Sequence, residues 1–234
     1  MKTIFGSFRF LPQRFLGIDI GTSSLKVVEL SRWGERISLK NYGELKAGAL
    51  YDKPFRSFEK NTLLLSNKDV ARAIRAIVQE ARIQTKKAVL SIPDFASFFT
   101  NFELPPMTKE ELADAVRYEA RKHIPVPLAD VTFDWQIVEG RIERNQPVKI
   151  LLAAVPNEII FQYQEIAKAA GLELAALEAE VFGLMRSSVG EEKRPVLLMD
   201  IGAQSTTINI VYKGASWQSR NHSPSFAGCH AYGS

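Results

Sequence analysis

Two short apolar runs near the start of the chain are joined by a small polar turn. The runs cover residues 15–20 and 25–30, and the turn between them reads Gly-Thr-Ser-Ser. Apolar runs on either side of such a turn predict a β-hairpin. The same pattern returns later, with apolar runs at 196–201 and 208–212 on either side of a small polar turn. The chain is therefore predicted to contain two hairpins of one design.

Helical and strand-like patterns alternate between the two hairpins. Apolar residues from Val70 to Ala81 recur at the spacing of one helix face, which predicts a helix over 68–83 capped by Asn67. Thr108 and Glu111 form a T-x-x-E capping box for a helix over 109–123. We also predict helices at 157–170 and 181–189, and strands at 36–45, 87–92, 98–104, 131–138, 148–155 and 172–177. Residues 47–65 and 214–234 show no period. Alternating elements indicate an α/β or α+β protein.

Composition narrows the class of protein without identifying a chemistry. Apolar residues make up 46% and charged residues 24% of the chain, as in ordinary globular proteins. The net charge of +4 is mild and the basic residues are scattered, so no nucleic-acid partner is expected. Cys229 is the sole cysteine, which fits a reducing compartment. Residues 1–14 lack the features of a signal peptide and no apolar stretch is long enough for a membrane span, so we predict a cytoplasmic protein.

The two predicted turns share a sequence that suits phosphate binding. Each follows Asp-Ile-Gly, at 19–21 and at 200–202, and continues with small polar residues. Glycine lets the backbone approach a phosphate, and tight turns direct N–H groups towards an anion. Asp19 and Asp200 could hold hydrated Mg²⁺ beside the phosphates, and Lys26 could place a positive charge on them. One copy would equally suit an ordinary hairpin turn, but two copies favour phosphate binding.

These motifs resemble those of a known superfamily. FLGIDIGTSSLKVVEL at 15–30 resembles the first phosphate motif of the actin, Hsp70 and sugar-kinase superfamily, and LLMDIGAQSTTINIV at 197–211 resembles the second. Residues 88–127 resemble the insert region of the PilM family of type IV pilus assembly proteins, relatives of the cell-division protein FtsA. The resemblance runs from about residue 15 to residue 212. It implies an α/β, actin-like (ribonuclease-H-like) ATPase fold with an inserted α+β, SHS2-like subdomain 1C.

The resemblance also implies a division of the chain into subdomains. The expected parts are a flexible segment at 1–14, subdomain 1A at 15–94, subdomain 1C at 95–176, a return to 1A at 177–195, the start of subdomain 2A at 196–213, and a disordered or truncated tail at 214–234. Family members continue further, so we expect an incomplete second lobe whose strand at 208–212 has an open edge. We therefore predict weak nucleotide binding, no ATP turnover, and peptide binding that outlasts ATP binding.

The resemblance implies a function and a set of site residues. It implies a cytoplasmic scaffold, peripheral to the bacterial inner membrane, that binds the tail of a PilN-type membrane protein, contacts pilus motors and platform proteins, and self-associates. ATP and Mg²⁺ are expected between two lobes. The residues expected to contact them are Asp19, Gly21, Thr22, Ser23 and Lys26 in the first hairpin and Asp200, Gly202, Gln204, Ser205 and Thr206 in the second. Glu180 occupies the place of a catalytic acidic residue near the attacking water, or is simply favoured by the dipole of its helix.

Three other functions within the superfamily stay open at this point, one of which, a chaperone-like ATPase, would show a peptide-binding domain after the ATPase region. An FtsA-like protein would link cell division to the membrane, and binding to a PilN-type tail peptide would distinguish the pilus role from the division role. A carbohydrate kinase would need a general base for the sugar hydroxyl and a sugar-binding wall in its first lobe. A sugar-dependent ATPase assay would separate that enzyme from a scaffold.

Overall fold

The computed structural model describes residues 13–49, 54–59, 62–142, 146–190, 192–203, 205–212 and 216–222. Most of the expected N-terminal segment, the end of the expected tail and Gln204 therefore lie outside the described residues. Among the described helices, none combines the length and apolar character needed to cross a membrane.

A five-stranded mixed sheet forms the main body, with strand order β10-β6-β1-β2-β3. Its strands are β1 (Gln13–Ile20), β2 (Ser24–Trp33), β3 (Arg36–Lys46), β6 (Lys87–Ile92) and β10 (Glu173–Ala179). Alternate residues of β1, namely Leu16, Ile18 and Ile20, point into the core. Helices α1 (Asn67–Glu80) and α3 (Asn157–Ala169) pack against that face of the sheet and against each other. The apolar periodicity of α1 thus buries one helix face, as predicted.

A second, smaller unit is inserted after β6. It comprises β7 (Phe98–Leu104), α2 (Lys109–His123), β8 (Val131–Glu139) and β9 (Val148–Pro156), with strand order β7-β9-β8. Leu112, Val116 and Ala120 of α2 pack on one face of this sheet. The predicted capping box is present, because Thr108 Oγ1 accepts the Glu111 N–H while Glu111 Oε2 accepts the Thr108 N–H. The insert has its own core.

The boundary of this inserted unit differs from the expected one at residue 176. Ile159, Tyr163 and Ile166 of α3 are buried in the core of the main body, and β10 pairs with β6 of the main sheet. The inserted unit therefore ends near Pro156. Helix α4 (Glu180–Ser188) then follows β10 directly.

The later hairpin forms a three-stranded antiparallel sheet instead of a two-stranded one. Strands β11 (Val196–Ile201) and β12 (Thr206–Tyr212) pair as predicted. The expectation that residues 214–234 lack structure is wrong for β13 (Ser216–His222), which pairs with β12 along its whole length. This strand also covers the edge of β12 that we expected to be open. Its sequence, SWQSRNH, lacks the apolar alternation by which a strand is recognised.

Two local predictions before α1 are also corrected. Residues 47–65, expected to be irregular, contain a short hairpin formed by β4 (Arg56–Glu59) and β5 (Thr62–Leu65). Phe55, just before β4, is buried in the main core, which attaches the hairpin to the body. The N-cap position of α1 is Ser66 and not Asn67.

Candidate functional site

The turns of the two hairpins have the same hydrogen-bonded geometry. In the first turn the Gly21 N–H donates to the Ser24 carbonyl over 2.9 Å, and in the second the Gly202 N–H donates to the Ser205 carbonyl over 2.9 Å. A Cβ on Gly21 would lie 2.6 Å from the Ser24 carbonyl oxygen, so glycine is needed for this close approach. Strand register extends the match, because Asp19 lies opposite Lys26 and Asp200 lies opposite Thr207 at equivalent positions.

Both turns line one cavity of about 450 Å³ between the main sheet and the β11–β13 sheet. Hairpin residues make up most of its wall, and the start of α4 and β4 contribute charged side chains. The lining residues are Asp19, Gly21, Thr22, Ser23, Ser24, Lys26, Arg56, Ser91, Glu180, Leu184, Asp200, Ile201, Gly202, Ala203 and Ser205. Carboxylates, cations, hydroxyls and two tight turns thus surround a single space.

The first hairpin orients its carboxylate through two neighbours. Asp19 Oδ2 lies 3.8 Å from Lys26 Nζ across the hairpin, and Asp19 Oδ1 accepts a hydrogen bond of 3.2 Å from Ser91 Oγ of β6. Both charged side chains are partly exposed to the cavity, so their attraction is screened and contributes little to stability. Such a loosely paired carboxylate and ammonium can each turn to an incoming ligand.

A tighter ion pair closes the wall of the cavity where β4 meets α4. Arg56 Nη1 donates to Glu180 Oε1 over 2.7 Å, and both side chains are mostly buried. The guanidinium also lies 5.5 Å from the centre of the Phe95 ring. Burial raises the pKa of Glu180, while the adjacent Arg56 opposes that shift. Glu180 begins α4, as predicted, but its ion pair with Arg56 was not predicted.

Asp94 is a buried carboxyl behind this ion pair. Its Oδ1 accepts the Val181 N–H of α4 over 3.1 Å. Burial raises the pKa of Asp94 to about 7, and the negative charges of Glu180 and Asp200 act in the same direction. Asn209 of β12 is also buried and lowers this pKa slightly, although its amide makes no hydrogen bond of normal geometry with the described residues. Asp94 therefore lies where the main body meets the second hairpin.

A separate groove lies between the inserted sheet and α4. Leu151 and Ala153 of β9 and Phe182 and Met185 of α4 form an apolar floor in a cavity of about 420 Å³. Polar and charged residues complete its lining, namely Asp134, Trp135, Gln136, Glu178 and Arg186. Arg186 forms an ion pair with Glu178 across α4 and β10. An apolar floor with a charged border suits a short peptide with apolar side chains.

Most of the predicted site residues meet at the cavity between the hairpins. Its wall includes nine of them, which are Asp19, Gly21, Thr22, Ser23, Lys26, Glu180, Asp200, Gly202 and Ser205. Thr206 begins β12 and is not part of this wall, and Gln204 lies outside the described residues. Arg56 and Ser91 were missed. Arg56 lies in a segment without a pattern, and its partner is 124 positions away along the chain.

The residues at the cavity fit a nucleotide with Mg²⁺. Asp19 and Asp200 supply carboxylate oxygens for a metal ion, and Lys26 and Arg56 supply positive charges. The two tight turns let backbone N–H groups come close to a phosphate. Within the described part of the chain, no group of three or more His, Cys, Asp or Glu residues could by itself enclose a metal ion. The two carboxylates of Asp19 and Asp200 are the donor set expected for Mg²⁺, which usually takes one or two carboxylates and completes its shell with phosphate and water.

Two glycine turns face each other across a cavity, one on the sheet of order β10-β6-β1-β2-β3 and the other on the β11–β13 sheet, and this arrangement defines an actin-like ATPase fold. The model of the family described as type IV pilus assembly protein PilM matches residues 17–229. The chain belongs to this family. The match extends beyond residue 212, where the sequence resemblance was expected to end.

Solved structures support the same fold. A PilM-PilN type IV pilus biogenesis complex is similar with a TM-score of 0.73 and 26% identity, over 89% of this chain and 61% of that chain. This chain therefore spans less than two thirds of the length of that relative. The cytoplasmic domain of EpsL, an inner membrane component of the type II secretion system of Vibrio cholerae, is similar with a TM-score of 0.59 and 13% identity, over 92% of this chain and 73% of that one. The second similarity concerns the fold alone.

Proposed function

We propose that this protein is a cytoplasmic scaffold of type IV pilus assembly that binds the cytoplasmic tail of a PilN-type membrane protein. The observation that carries the proposal is the groove between the inserted sheet and α4, which combines an apolar floor with a charged border. The similarity to a PilM-PilN complex supports this class of partner. Through this partner the scaffold would lie next to the inner membrane, where pilus motors and platform proteins are further proposed contacts, as is self-association.

The groove suggests how a peptide would be held. Phe182 is fixed by an edge-to-face contact with Phe99, at 5.8 Å between ring centres, so this part of the floor is rigid before binding. Apolar side chains of the peptide would cover the partly exposed Phe182 and Met185, and this burial would supply most of the affinity. Glu178 and Arg186 at the border would orient polar groups of the peptide.

The groove is tested by measuring the binding of a fluorescent peptide from the tail of a PilN-type protein. The variant Ala153→Arg places a long cation on the apolar floor, and we expect it to weaken binding at least about tenfold, a cost of about 1.4 kcal/mol. The matched control Phe161→Arg adds the same charge on the exposed surface of α3 and should bind as the wild type does. Equal binding by both variants would overturn the groove assignment.

We further propose that the cavity between the hairpins binds ATP with Mg²⁺. The backbone turns at Gly21 and Gly202 would approach the phosphates, while Thr22, Ser23 and Ser205 would donate hydroxyl hydrogen bonds. Asp19 and Asp200 would hold the metal ion, which neutralises phosphate charge when bound. Glu180 is the candidate for orienting an attacking water. Calorimetric titration of Mg·ATP with Asp19→Ala as control tests this, and the prediction of weak binding without turnover is checked in the same experiment.

The alternatives are less well supported by the family match, which is to pilus assembly proteins. A carbohydrate kinase would show ATP consumption that depends on an added sugar. An FtsA-like division protein would not bind a PilN-type tail. Sugar-stimulated ATP consumption would therefore replace the scaffold proposal with an enzymatic one.

A further inference from the structure

We propose that Arg56 senses the terminal phosphate of a nucleoside triphosphate by exchanging Glu180 for that phosphate. This inference rests on the proposed nucleotide site and adds a residue that discriminates a triphosphate from a diphosphate. The motifs of the two hairpins do not include Arg56, which comes from the short β4–β5 hairpin. Its side chain nevertheless forms part of the same cavity wall.

The position of Arg56 is fixed by its neighbours along the chain and in space. Phe55, the preceding residue, is buried in the main core, so the backbone at Arg56 is held against the body of the protein. The Phe95 ring beneath the guanidinium further restricts its plane. An arginine fixed in this way has already lost most of its side-chain entropy, so binding a ligand costs it little more.

The hydrogen-bonding state of Arg56 leaves it able to accept a second anion. A guanidinium has five N–H donors in a planar fork, which match a phosphate or carboxylate through two parallel hydrogen bonds. Arg56 donates a hydrogen bond to Glu180 through Nη1, while its Nε is buried beside the fully buried Tyr163 and does not face the cavity. The terminal nitrogens Nη1 and Nη2 are therefore the donors that a phosphate could engage once Glu180 is displaced.

Charge makes a phosphate the stronger competitor for this guanidinium. The charged side chains in the cavity wall are three carboxylates, Asp19, Glu180 and Asp200, and two cations, Lys26 and Arg56. Both Asp19 and Asp200 repel Glu180 and favour its neutral form. A terminal phosphate carries more negative charge than the carboxylate and can bind the guanidinium through two oxygens. The phosphate would therefore take the place of Glu180 against the guanidinium, while Arg56 itself stays in position.

Discrimination follows from where Glu180 lies. Arg56 and Glu180 lie in the part of the wall that β4 and α4 supply, outside both turns, so we expect the last phosphate, and not those held by the turns, to meet the guanidinium. A triphosphate would then reach Arg56, while a diphosphate would leave Arg56 paired with Glu180. Release of Glu180 by the triphosphate would also free its carboxylate to orient a water molecule.

The test compares affinities for Mg·ATP and Mg·ADP by calorimetry in the full chain. We expect Arg56→Gln to weaken ATP binding at least about tenfold and ADP binding less than about threefold, because only ATP uses the guanidinium. Equal losses for the two nucleotides, or no loss, would overturn the proposal. Failure of the wild-type chain to bind either nucleotide would instead overturn the proposed nucleotide site itself, and this proposal with it.

A variant of Glu180, the ion-pair partner of Arg56, tests whether Arg56 acts only by stabilising the fold. Glu180→Gln removes the negative charge that competes for Arg56 but keeps the shape of the side chain, so we expect ATP affinity to rise about threefold while ADP affinity stays unchanged. A structural role would make both variants lose affinity in parallel. Thermal unfolding of each variant identifies any that fail to fold. If Arg56→Gln does not fold, Arg56→Lys should still lose ATP affinity, because a lysine lacks the planar fork.

Discussion

The two hairpins share a turn but differ in what surrounds them. In the first, Ile20 is fully buried, at 0% exposure, beneath helices of the main body. In the second, the equivalent Ile201 is 74% exposed, and Leu197 and Met199 of the same strand are also exposed. The same local sequence, Asp-Ile-Gly, therefore produces the same turn in a buried and in an open setting. The turn geometry is local, whereas burial depends on what packs against the strand.

The largest expected effect is on the pH dependence of the unfolding free energy, and it arises from Asp94, where the main body meets the second hairpin. Its folded-state pKa of about 7 lies above the usual 3.8, so between these values the folded protein holds a proton that the unfolded chain has lost. Stability should therefore fall as pH rises through this window, by at most about 4 kcal/mol. Urea unfolding at pH 5 and pH 8 should capture about 3 kcal/mol of this change, because pH 5 already lies above the usual value of 3.8. Asp94→Asn should flatten this dependence, whereas Asp114→Asn on the exposed face of α2 should not.

The next largest effect is the difference in stability loss between alanine variants of Ile20 and Ile201. Ile20→Ala leaves a cavity in the main core and should cost about 3 kcal/mol of unfolding free energy. Ile201→Ala should cost less than about 0.5 kcal/mol, because its side chain is already exposed. Equal losses in denaturant unfolding would mean that a surface not seen in this structure covers the second hairpin in solution.

Nucleotide affinity shows whether the two hairpins act together. Asp19→Ala and Asp200→Ala should each weaken Mg·ATP binding at least about tenfold, equivalent to about 1.4 kcal/mol, because each removes one carboxylate from the proposed metal site. Calorimetry with Asp114→Ala as a distant control measures this. A loss confined to Asp19→Ala would assign the site to the first hairpin alone.

The smallest effect compares the two turn glycines. A Cβ at position 21 would lie 2.6 Å from the Ser24 carbonyl oxygen, and one at position 202 would lie 3.0 Å from the Ser205 carbonyl oxygen. Gly21→Ala should therefore cost about 1 kcal/mol more in unfolding free energy than Gly202→Ala, since the buried first hairpin can relax less. The reverse order would contradict the idea that the surrounding structure sets the tolerance of each turn.

The parts of the structure that sequence reasoning predicted are those encoded by neighbouring residues. The two hairpins, the capping box at Thr108 and the apolar face of α1 each depend on residues a few positions apart. The strand β13 was missed because its residues are mainly polar and its pairing with β12 stabilises it from outside. Likewise, only packing against the main core reveals that α3 belongs to the body and not to the insert.

The residues of the candidate site likewise fall into those that a local sequence motif predicts and those that it does not. Asp19 and Asp200 could be recognised because each belongs to a repeated motif. Arg56 and Asp94 carry no such signal, since the first lies in a short unpatterned segment and the second resembles an ordinary turn residue after a proline. Their roles arise from contacts with Glu180 and Val181, which are far away along the chain. Long-range electrostatic contacts of this kind have no local pattern.

The two turns have the same length, and this length determines which side chains of the following strand face the cavity. Each turn places four residues, 21–24 and 202–205, between the last paired positions of its strands. Side chains alternate between the two faces of a strand, so inserting or deleting one residue in a turn would shift the pairing by one position. Lys26 would then lie on the opposite face of the sheet from Asp19, and in the second hairpin Thr207 would be separated from Asp200. Sequence changes that keep the length of these turns should therefore be tolerated far better than those that alter it.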